Sequence, residues 1–268
     1  LTLVGENGCG KSSILEEIFK QSVQLNDKTV VCFSSGQNET YSSIYLPYIS
    51  NARNIVRKKD DADILGLDDI KTFFFSYDWS KLLVFFASIL KKDGLTHNFL
   101  KDKYVDINEH NEDISSLLSF SIEVGQVYIN AIAEALKKEE TDFEIPTLRK
   151  TKFHQILEKL VTTKISADYE FDNSLRKSRV EINNNDVIQI FGRNKTEIFS
   201  FFSIATANDY FIDIKETELI FKNSLSIKEL SDGEFQLLAI YSIIDLFDSA
   251  NTLFLLDEID SHLYYKNI

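Results

Sequence analysis

The chain has 268 residues, enough for one large domain or two small ones, and 44% of them are hydrophobic, which excludes wholesale disorder. A net charge of −13 means that most of the surface repels polyanions, so contact with nucleic acid would need a local basic patch or another subunit. Two cysteines, Cys9 and Cys32, exclude a disulfide framework, and no apolar run reaches the roughly 20 residues of a membrane helix, so we expect a cytoplasmic protein. Because the sequence contains no methionine and begins inside an apolar run, we expect it to be part of a longer chain.

The first 34 residues have the pattern strand, glycine loop, helix, strand. The predicted helix follows Lys11, where apolar residues recur at helical spacing: Ile14, Leu15, Ile18, Phe19 and Val23. The β-branched run Thr29–Phe33 predicts the second strand.

The middle of the chain has mixed patterns. We predict an apolar helix at Leu82–Leu90 and amphipathic helices at Gln126–Lys138 and Leu148–Thr163. The apolar side of the last helix consists of Phe153, Ile156, Leu157, Leu160 and Val161. Around a turn at Asn183–Asn185 we predict a β-hairpin, with Val180 and Ile182 before the turn and Val187, Ile188 and Ile190 after it.

The last part of the chain, Ile227–Ile268, again has clear helix and strand patterns. It predicts a loop at Leu230–Glu234, a helix near Phe235–Phe247 and a strand at Leu253–Leu256. Strands that alternate with helices favour a parallel sheet. We therefore predict an α/β fold with a mainly parallel sheet shared by residues 1–34 and 227–268. The glycine loop Gly5–Ser12 matches GxxxxGKS, which indicates that this fold is of the P-loop NTPase type. Residues 35–226 would form a large mixed α+β insertion with helices and a β-hairpin.

The segment Gly5–Ser12 matches the Walker A pattern, GxxxxGK followed by Ser or Thr, between a predicted strand and a predicted helix. Glycines let the backbone wrap a phosphate, and N–H groups at the helix start point at its oxygens. We therefore predict that ATP binds here, with Lys11 reaching the β- and γ-phosphates and Ser12 coordinating Mg²⁺. A glycine turn with a chance lysine is the alternative. The predicted nucleotide-binding residues here are Gly5, Glu6, Asn7, Gly8, Cys9, Gly10, Lys11, Ser12 and Ser13.

The strand Leu253–Leu256 is followed by Asp257 and Glu258, which is the Walker B pattern. Four apolar residues predict a strand that is buried on both faces, and ligands bind at the carboxyl ends of such strands. We predict that Asp257 holds Mg²⁺ through water and that Glu258 is the general base, so that Glu258 and Lys11 are the catalytic residues. The alternative is that the two acids only end a strand.

The segment Leu230–Glu234, with the sequence LSDGE, lies just before that strand, and Gln236 follows it. It resembles the signature motif of ABC-type ATPases, usually LSGGQ, in the form found in the SMC and RecF-like branch. In that family the motif binds the γ-phosphate of the opposite subunit. The resemblance thus implies that Ser231, Gly233 and Glu234 bind nucleotide in a homodimer with ATP between the subunits. A helix cap with an acid in the first turn is the alternative.

Two further assignments come from the same resemblance. The segment Ile259–Leu263 is similar to the family's D-loop, which implies that Asp260 lies at the subunit interface and that His262 is structural. Gln37 is the candidate for the family's Q-loop glutamine, and an ordinary turn glutamine is the alternative.

The chain is similar to soluble defence-associated ATPases, a group that includes OLD-family, Septu-type and restriction-system-associated ATPases. This resemblance implies an ATPase that drives or gates a nuclease, as a partner or a fused domain, in DNA repair or antiviral defence, with DNA as a candidate partner. A regulatory scaffold that binds ATP with negligible turnover and controls a partner protein is the alternative. The ATPase subunit of a transporter is a third hypothesis, although no membrane segment accompanies the motifs.

Overall fold

The computed structural model describes residues 10–36, 40–57, 67–103, 118–125, 151–164, 177–209, 211–221 and 230–259. In chain order the elements are α1 (Lys11–Leu25), β1 (Thr29–Ser34), α2 (Tyr41–Arg57), β2 (Thr72–Ser76), α3 (Ser80–Leu90), α4 (Leu95–Lys103), β3 (Leu118–Gly125), α5 (Lys152–Lys164), β4 (Lys177–Asn183), α6 (Asn184–Ile190), α7 (Lys195–Thr206), β5 (Ile212–Phe221), α8 (Asp232–Phe247) and β6 (Thr252–Asp257). The predicted helix Gln126–Lys138 and the predicted strand before Gly5 lie outside the described residues.

A parallel sheet with the order β2-β1-β6 is formed by three of the described strands. Val31 in β1 lies opposite Phe73 in β2 and opposite Phe254 in β6. The β-branched and apolar residues of β1 suit this central position, and four of them are fully buried: Val30, Val31, Cys32 and Phe33. The predicted α/β class with a parallel sheet is thus confirmed, and β2 shows that part of the segment 35–226 belongs to this sheet.

A second sheet is antiparallel and has the order β4-β3-β5. β4 corresponds to the first strand of the predicted hairpin, but the second strand of that prediction is wrong. Asn183 instead caps α6: its side chain accepts the N–H groups of Asn185 and Asp186, while Asp186 accepts the N–H of Asn183. This capping box starts a helix, in which Val187 is buried and Ile188 is 43% exposed.

Aromatic side chains from several elements form a shared core next to the parallel sheet. Phe75 in β2 contacts Trp79, Phe199 of α7 and Phe247 of α8, with ring centroids 5.1 to 5.7 Å apart. Phe86 of α3 contacts the same α7 phenylalanine at 5.8 Å. Full burial of each such ring contributes about 1.5–3 kcal/mol. α3 also packs against α8, so the core connects the end of the chain to its middle.

Most of the other predicted elements are confirmed, with shifted ends. α1, β1, α3, α8 and β6 lie at their predicted places, although α8 begins at Asp232, inside the predicted loop. α5 begins at Lys152 and buries four of the predicted apolar residues, Phe153, Ile156, Leu157 and Leu160.

The predicted burial of Leu253–Leu256 on both faces is wrong, since Leu255 is buried and its three apolar neighbours are only half-buried. Within the described sheet β6 pairs with β1 alone, so fewer neighbours cover it. In the part of the chain that the structure describes, none of the helices combines the length and apolar character that crossing a bilayer requires.

Candidate functional site

The candidate site lies at the carboxyl edge of the parallel sheet. Since β1, β2 and β6 run in the same direction, their carboxyl ends meet at one edge. Asp257 ends β6 there and Glu258 follows it, while Ser35 and Gly36 follow β1. Hydrogen bonds join both segments to the starts of α1, α2 and α8. Ligands of open α/β sheets bind at the carboxyl ends of the strands, so this edge is the candidate ligand-binding site.

Ser12 and Asp257 are in direct contact at this edge. The Ser12 hydroxyl donates to Asp257 Oδ1 at 3.1 Å, although the residues are 245 positions apart in the chain. Gly10, just before α1, has a φ of +87°, a left-handed conformation that glycine tolerates best. The first turn of α1 contains no acidic residue, so the positive end of its dipole is not neutralised from within the helix. The start of α1 therefore suits an anion beside Asp257.

Tyr41, the first residue of α2, occupies the other oxygen of the same carboxylate. Its hydroxyl donates to Asp257 Oδ2 at 2.9 Å, and the side chain is 1% exposed. Burial, followed by the hydrogen bond to Asp257, raises the pKa of Tyr41 far above its usual value. The phenol therefore stays protonated over the whole physiological range and remains a donor.

Glu258 has an unusual backbone that its neighbours hold in place. Its φ of +53° lies in the left-handed region, which is uncommon for residues other than glycine. Its carbonyl accepts the Ser35 hydroxyl at 2.7 Å. Its carboxylate lies next to Gly36, where an added Cβ would meet Oε2, the end of an exposed side chain that is able to move away. The Glu258 side chain is exposed.

Gln236 connects the start of α8 with the turns after β1 and β6. Its side-chain N–H groups donate to Ser35 Oγ and to the Ile259 carbonyl at 2.9 Å, with the Glu258 carbonyl further away at 3.4 Å. The residue is fully buried. Gln236 therefore attaches the start of α8 to the backbone that follows β6.

The residues LSDGE form the cap of α8. The Ser231 hydroxyl accepts the N–H of Glu234 at 3.3 Å, and the Ser231 N–H donates to Glu234 Oε2 at 3.0 Å. Lys103 of α4 forms an ion pair with Glu234 and holds the pKa of that carboxyl below its usual range, helped by the Ser231 N–H. The helix-cap alternative is therefore confirmed as the local structure, and Ser231 and Asp232 remain exposed.

The structure thus brings one residue of each predicted Walker segment into contact, Ser12 and Asp257. Gly10, Lys11 and Ser13 adjoin Ser12 at the start of α1, and Glu258 directly follows Asp257 after β6. Ser231, Gly233 and Glu234 begin the helix that Gln236 attaches to the same edge. The remaining predicted positions lie outside the described residues: Gly5, Glu6, Asn7, Gly8, Cys9, Gln37, Asp260 and His262.

Four residues of this edge were not predicted to be functional: Ser35, Gly36, Tyr41 and Gln236. Gln236 lies two residues after the predicted signature segment Leu230–Glu234, and Ser35 and Gly36 closely follow a predicted strand, so position alone could have indicated them. Tyr41 belongs to no motif, and only its tertiary contact with Asp257 identifies it.

The site offers few protein side chains as ligands for a metal ion. Within the described ranges, no cluster of three or more His, Cys, Asp or Glu side chains could hold a metal ion. Ser12 and Asp257 nevertheless place two hard oxygen donors side by side. Mg²⁺ in nucleotide sites usually takes one or two protein oxygens and completes its shell with phosphate and water, so these donors fit Mg²⁺.

Comparisons of this chain with models of known protein families, with curated proteins and with solved structures find no match.

Proposed function

We propose that the chain is a magnesium-dependent ATPase of the ABC type, and the contact between Ser12 and Asp257 is the observation that carries this proposal. Each residue ends a motif that was identified separately in the sequence, 245 positions apart. A chance glycine turn and a chance acid at a strand end would have no reason to meet. Their contact at 3.1 Å, at a helix start that suits an anion, supports one nucleotide site formed by both motifs.

In this proposal the phosphates of ATP lie at the start of α1. The N–H groups of the first helical turn and the Lys11 ammonium would bind the β- and γ-phosphate oxygens. Ser12 and Asp257 would hold Mg²⁺, which when bound neutralises phosphate charge and orients the γ-phosphate. Such a local positive site is needed because the chain as a whole carries a net charge of −13.

Glu258 is the residue that we assign to the chemical step. Its side chain is exposed at the end of β6, one residue beyond the proposed metal-binding Asp257. As general base it would accept a proton from the attacking water, a contribution of roughly 10²–10⁴ in rate. The left-handed backbone of Glu258 turns the chain at the end of the sheet, and its carboxylate lies beside Gly36 after β1.

We also propose that the active form is a homodimer with ATP between the subunits. The exposed start of α8, with Ser231 and Asp232, supports this arrangement because a second molecule can reach it. Following the resemblance of LSDGE to the ABC signature, the dimer would drive or gate a nuclease, with DNA as a candidate partner.

A coupled pair of substitutions tests the nucleotide site. Ser12→Ala and Asp257→Asn should each weaken binding of ATP in the presence of Mg²⁺ by roughly tenfold or more, and should have much less effect in EDTA. Because the two residues share one ion, the double variant should be hardly weaker than either single variant. Asp248→Asn, at an exposed acid after α8, is the matched control. Losses that are fully additive, or equal with and without Mg²⁺, would contradict the shared site.

Ser231→Arg tests the dimer. It should abolish ATP hydrolysis and ATP-driven dimerisation in light scattering, while the monomer keeps its affinity for ATP. Mixing Ser231→Arg with Lys11→Ala should restore part of the activity if one intact composite site is enough. Loss of ATP binding by the folded Ser231→Arg monomer would mean that the motif acts within its own chain. ATP-dependent dimerisation of the wild-type protein without hydrolysis would favour the regulatory scaffold.

A further inference from the structure

The two oxygens of Asp257 have partners of different character. Oδ1 accepts the hydroxyl of Ser12, an exposed residue that is itself a candidate ligand of Mg²⁺. Oδ2 accepts the hydroxyl of Tyr41, which is buried. Oδ1 therefore lies on the side of the proposed nucleotide site, and Oδ2 forms a hydrogen bond with a buried side chain.

Tyr41 is held rigidly in this position. Its ring stacks on Phe74 with centroids 5.8 Å apart and meets the edge of Phe19 at 5.7 Å. With 1% of its surface exposed, the side chain is enclosed by its neighbours.

We propose that Tyr41 is a specificity-determining positioning residue: by occupying Oδ2 it leaves Asp257 a single oxygen, Oδ1, for the metal or for the water that joins it to the metal, and this favours Mg²⁺ over Ca²⁺. The chemistry of the two ions gives the reason. Ca²⁺ takes six to eight oxygens and often binds both oxygens of a carboxylate, whereas Mg²⁺ requires a compact octahedron of single oxygens and waters. This inference rests on the proposed ATP and Mg²⁺ site.

The test compares Tyr41→Phe with the wild-type protein. This substitution keeps the ring and its packing and removes only the hydroxyl. Tyr48→Phe is the matched control, because Tyr48 lies on the same helix and its hydroxyl donates to Asn26 Oδ1 at 3.2 Å, a residue outside the proposed site. Calorimetry would measure the dissociation constants of Mg²⁺ and of Ca²⁺ for protein saturated with a non-hydrolysable ATP analogue, and thermal unfolding without metal would verify that each variant is folded.

For Tyr41→Phe we expect binding of Mg²⁺ to weaken roughly 10- to 100-fold, as for other partners of metal-bound carboxylates. Binding of Ca²⁺ should weaken much less or improve, so the preference for Mg²⁺ should fall by roughly tenfold or more. Tyr48→Phe should change neither constant. If the wild-type protein binds the analogue with Mg²⁺ but Tyr41→Phe keeps the same Mg²⁺ to Ca²⁺ preference, this inference alone is overturned. If the wild-type protein does not bind the analogue with either ion, the proposed function is overturned together with it.

Discussion

Replacing Gln236 by leucine would distinguish an effect of this side chain on the free energy of unfolding from an effect on the rate of ATP hydrolysis. The side chain is fully buried, and its N–H groups donate to Ser35 Oγ and to the Ile259 carbonyl at 2.9 Å. Leucine keeps a similar volume and removes both hydrogen bonds. The residues that we assign to ATP binding, Lys11 and Ser12, remain unchanged in this variant.

The expected loss of stability is small because two effects oppose each other. Two neutral hydrogen bonds contribute about 1–3 kcal/mol together. Against this, Oε1 of Gln236 is buried and has no hydrogen-bond partner among the described residues, which costs about 1–3 kcal/mol that leucine would remove. We therefore expect the free energy of unfolding of Gln236→Leu to lie within about 2 kcal/mol of the wild-type value.

The expected effect on hydrolysis is larger. Without Gln236 the backbone of Glu258 keeps its bond from Ser35 but loses its connection to α8. Misplacement of a catalytic group by about 1 Å can cost about 10²-fold in rate. We expect single-turnover hydrolysis to fall by roughly 10- to 100-fold while ATP affinity is retained.

Urea unfolding measures the free energy of unfolding, calorimetry measures the affinity for ATP, and single-turnover kinetics measure the rate of hydrolysis. Gln21→Leu is the control, because Gln21 is exposed on α1 and its side chain donates to Glu17 Oε1 on the same helix at 3.1 Å. Hydrolysis by Gln236→Leu at the wild-type rate would refute the idea that this side chain positions Glu258.

Three further predictions concern single side chains. Glu258→Gln should bind ATP normally, slow hydrolysis by roughly 10²–10⁴ and accumulate an ATP-bound dimer in size-exclusion chromatography; hydrolysis at the normal rate would assign the base elsewhere. Asp245→Ala should lower the free energy of unfolding in urea by about 3 kcal/mol, because this buried carboxylate accepts two N–H groups at the start of α4, whereas the exposed Asp248→Ala should change it little. Lys103 lowers the pKa of Glu234, so the negative charge of Glu234 stabilises the folded protein. This stabilisation is complete above the ordinary carboxyl pKa of about 4.3 and is lost as the pH falls through the lowered pKa of the folded protein. Glu234→Gln should thus be less stable than wild type at pH 7, and a gap that persists unchanged at pH 3 would contradict the charge effect.

The sequence predicted those elements whose local pattern and tertiary environment agree. β1 and α3 have strongly β-branched and strongly apolar sequences, and both are buried as expected. The hairpin prediction failed after Asn183 because the apolar spacing there fits both periods, and the capping box with Asp186 favours the helix. β2 was assigned to an insertion because a short apolar run does not show which sheet it will join.

The candidate site was only partly predictable for a related reason. Walker A and Walker B residues are recognisable because phosphate binding demands fixed residue types at fixed spacing. Tyr41 and Gln236 contact their partners across 216 and 201 positions of the chain, and no local pattern encodes such contacts. Their roles follow from the fold, which places the starts of α2 and α8 at the ends of β1 and β6.

Calorimetric titration with ATP and Mg²⁺ of the wild-type protein and of Lys11→Ala tests the central claim most directly. The account predicts binding of ATP by the wild-type protein and loss of that binding in Lys11→Ala, with unchanged thermal unfolding of the ligand-free variant. Lys20→Ala, at an exposed position of the same helix, should bind like the wild type. Undiminished ATP binding by Lys11→Ala, or no binding by the wild-type protein, would contradict a nucleotide site at the start of α1.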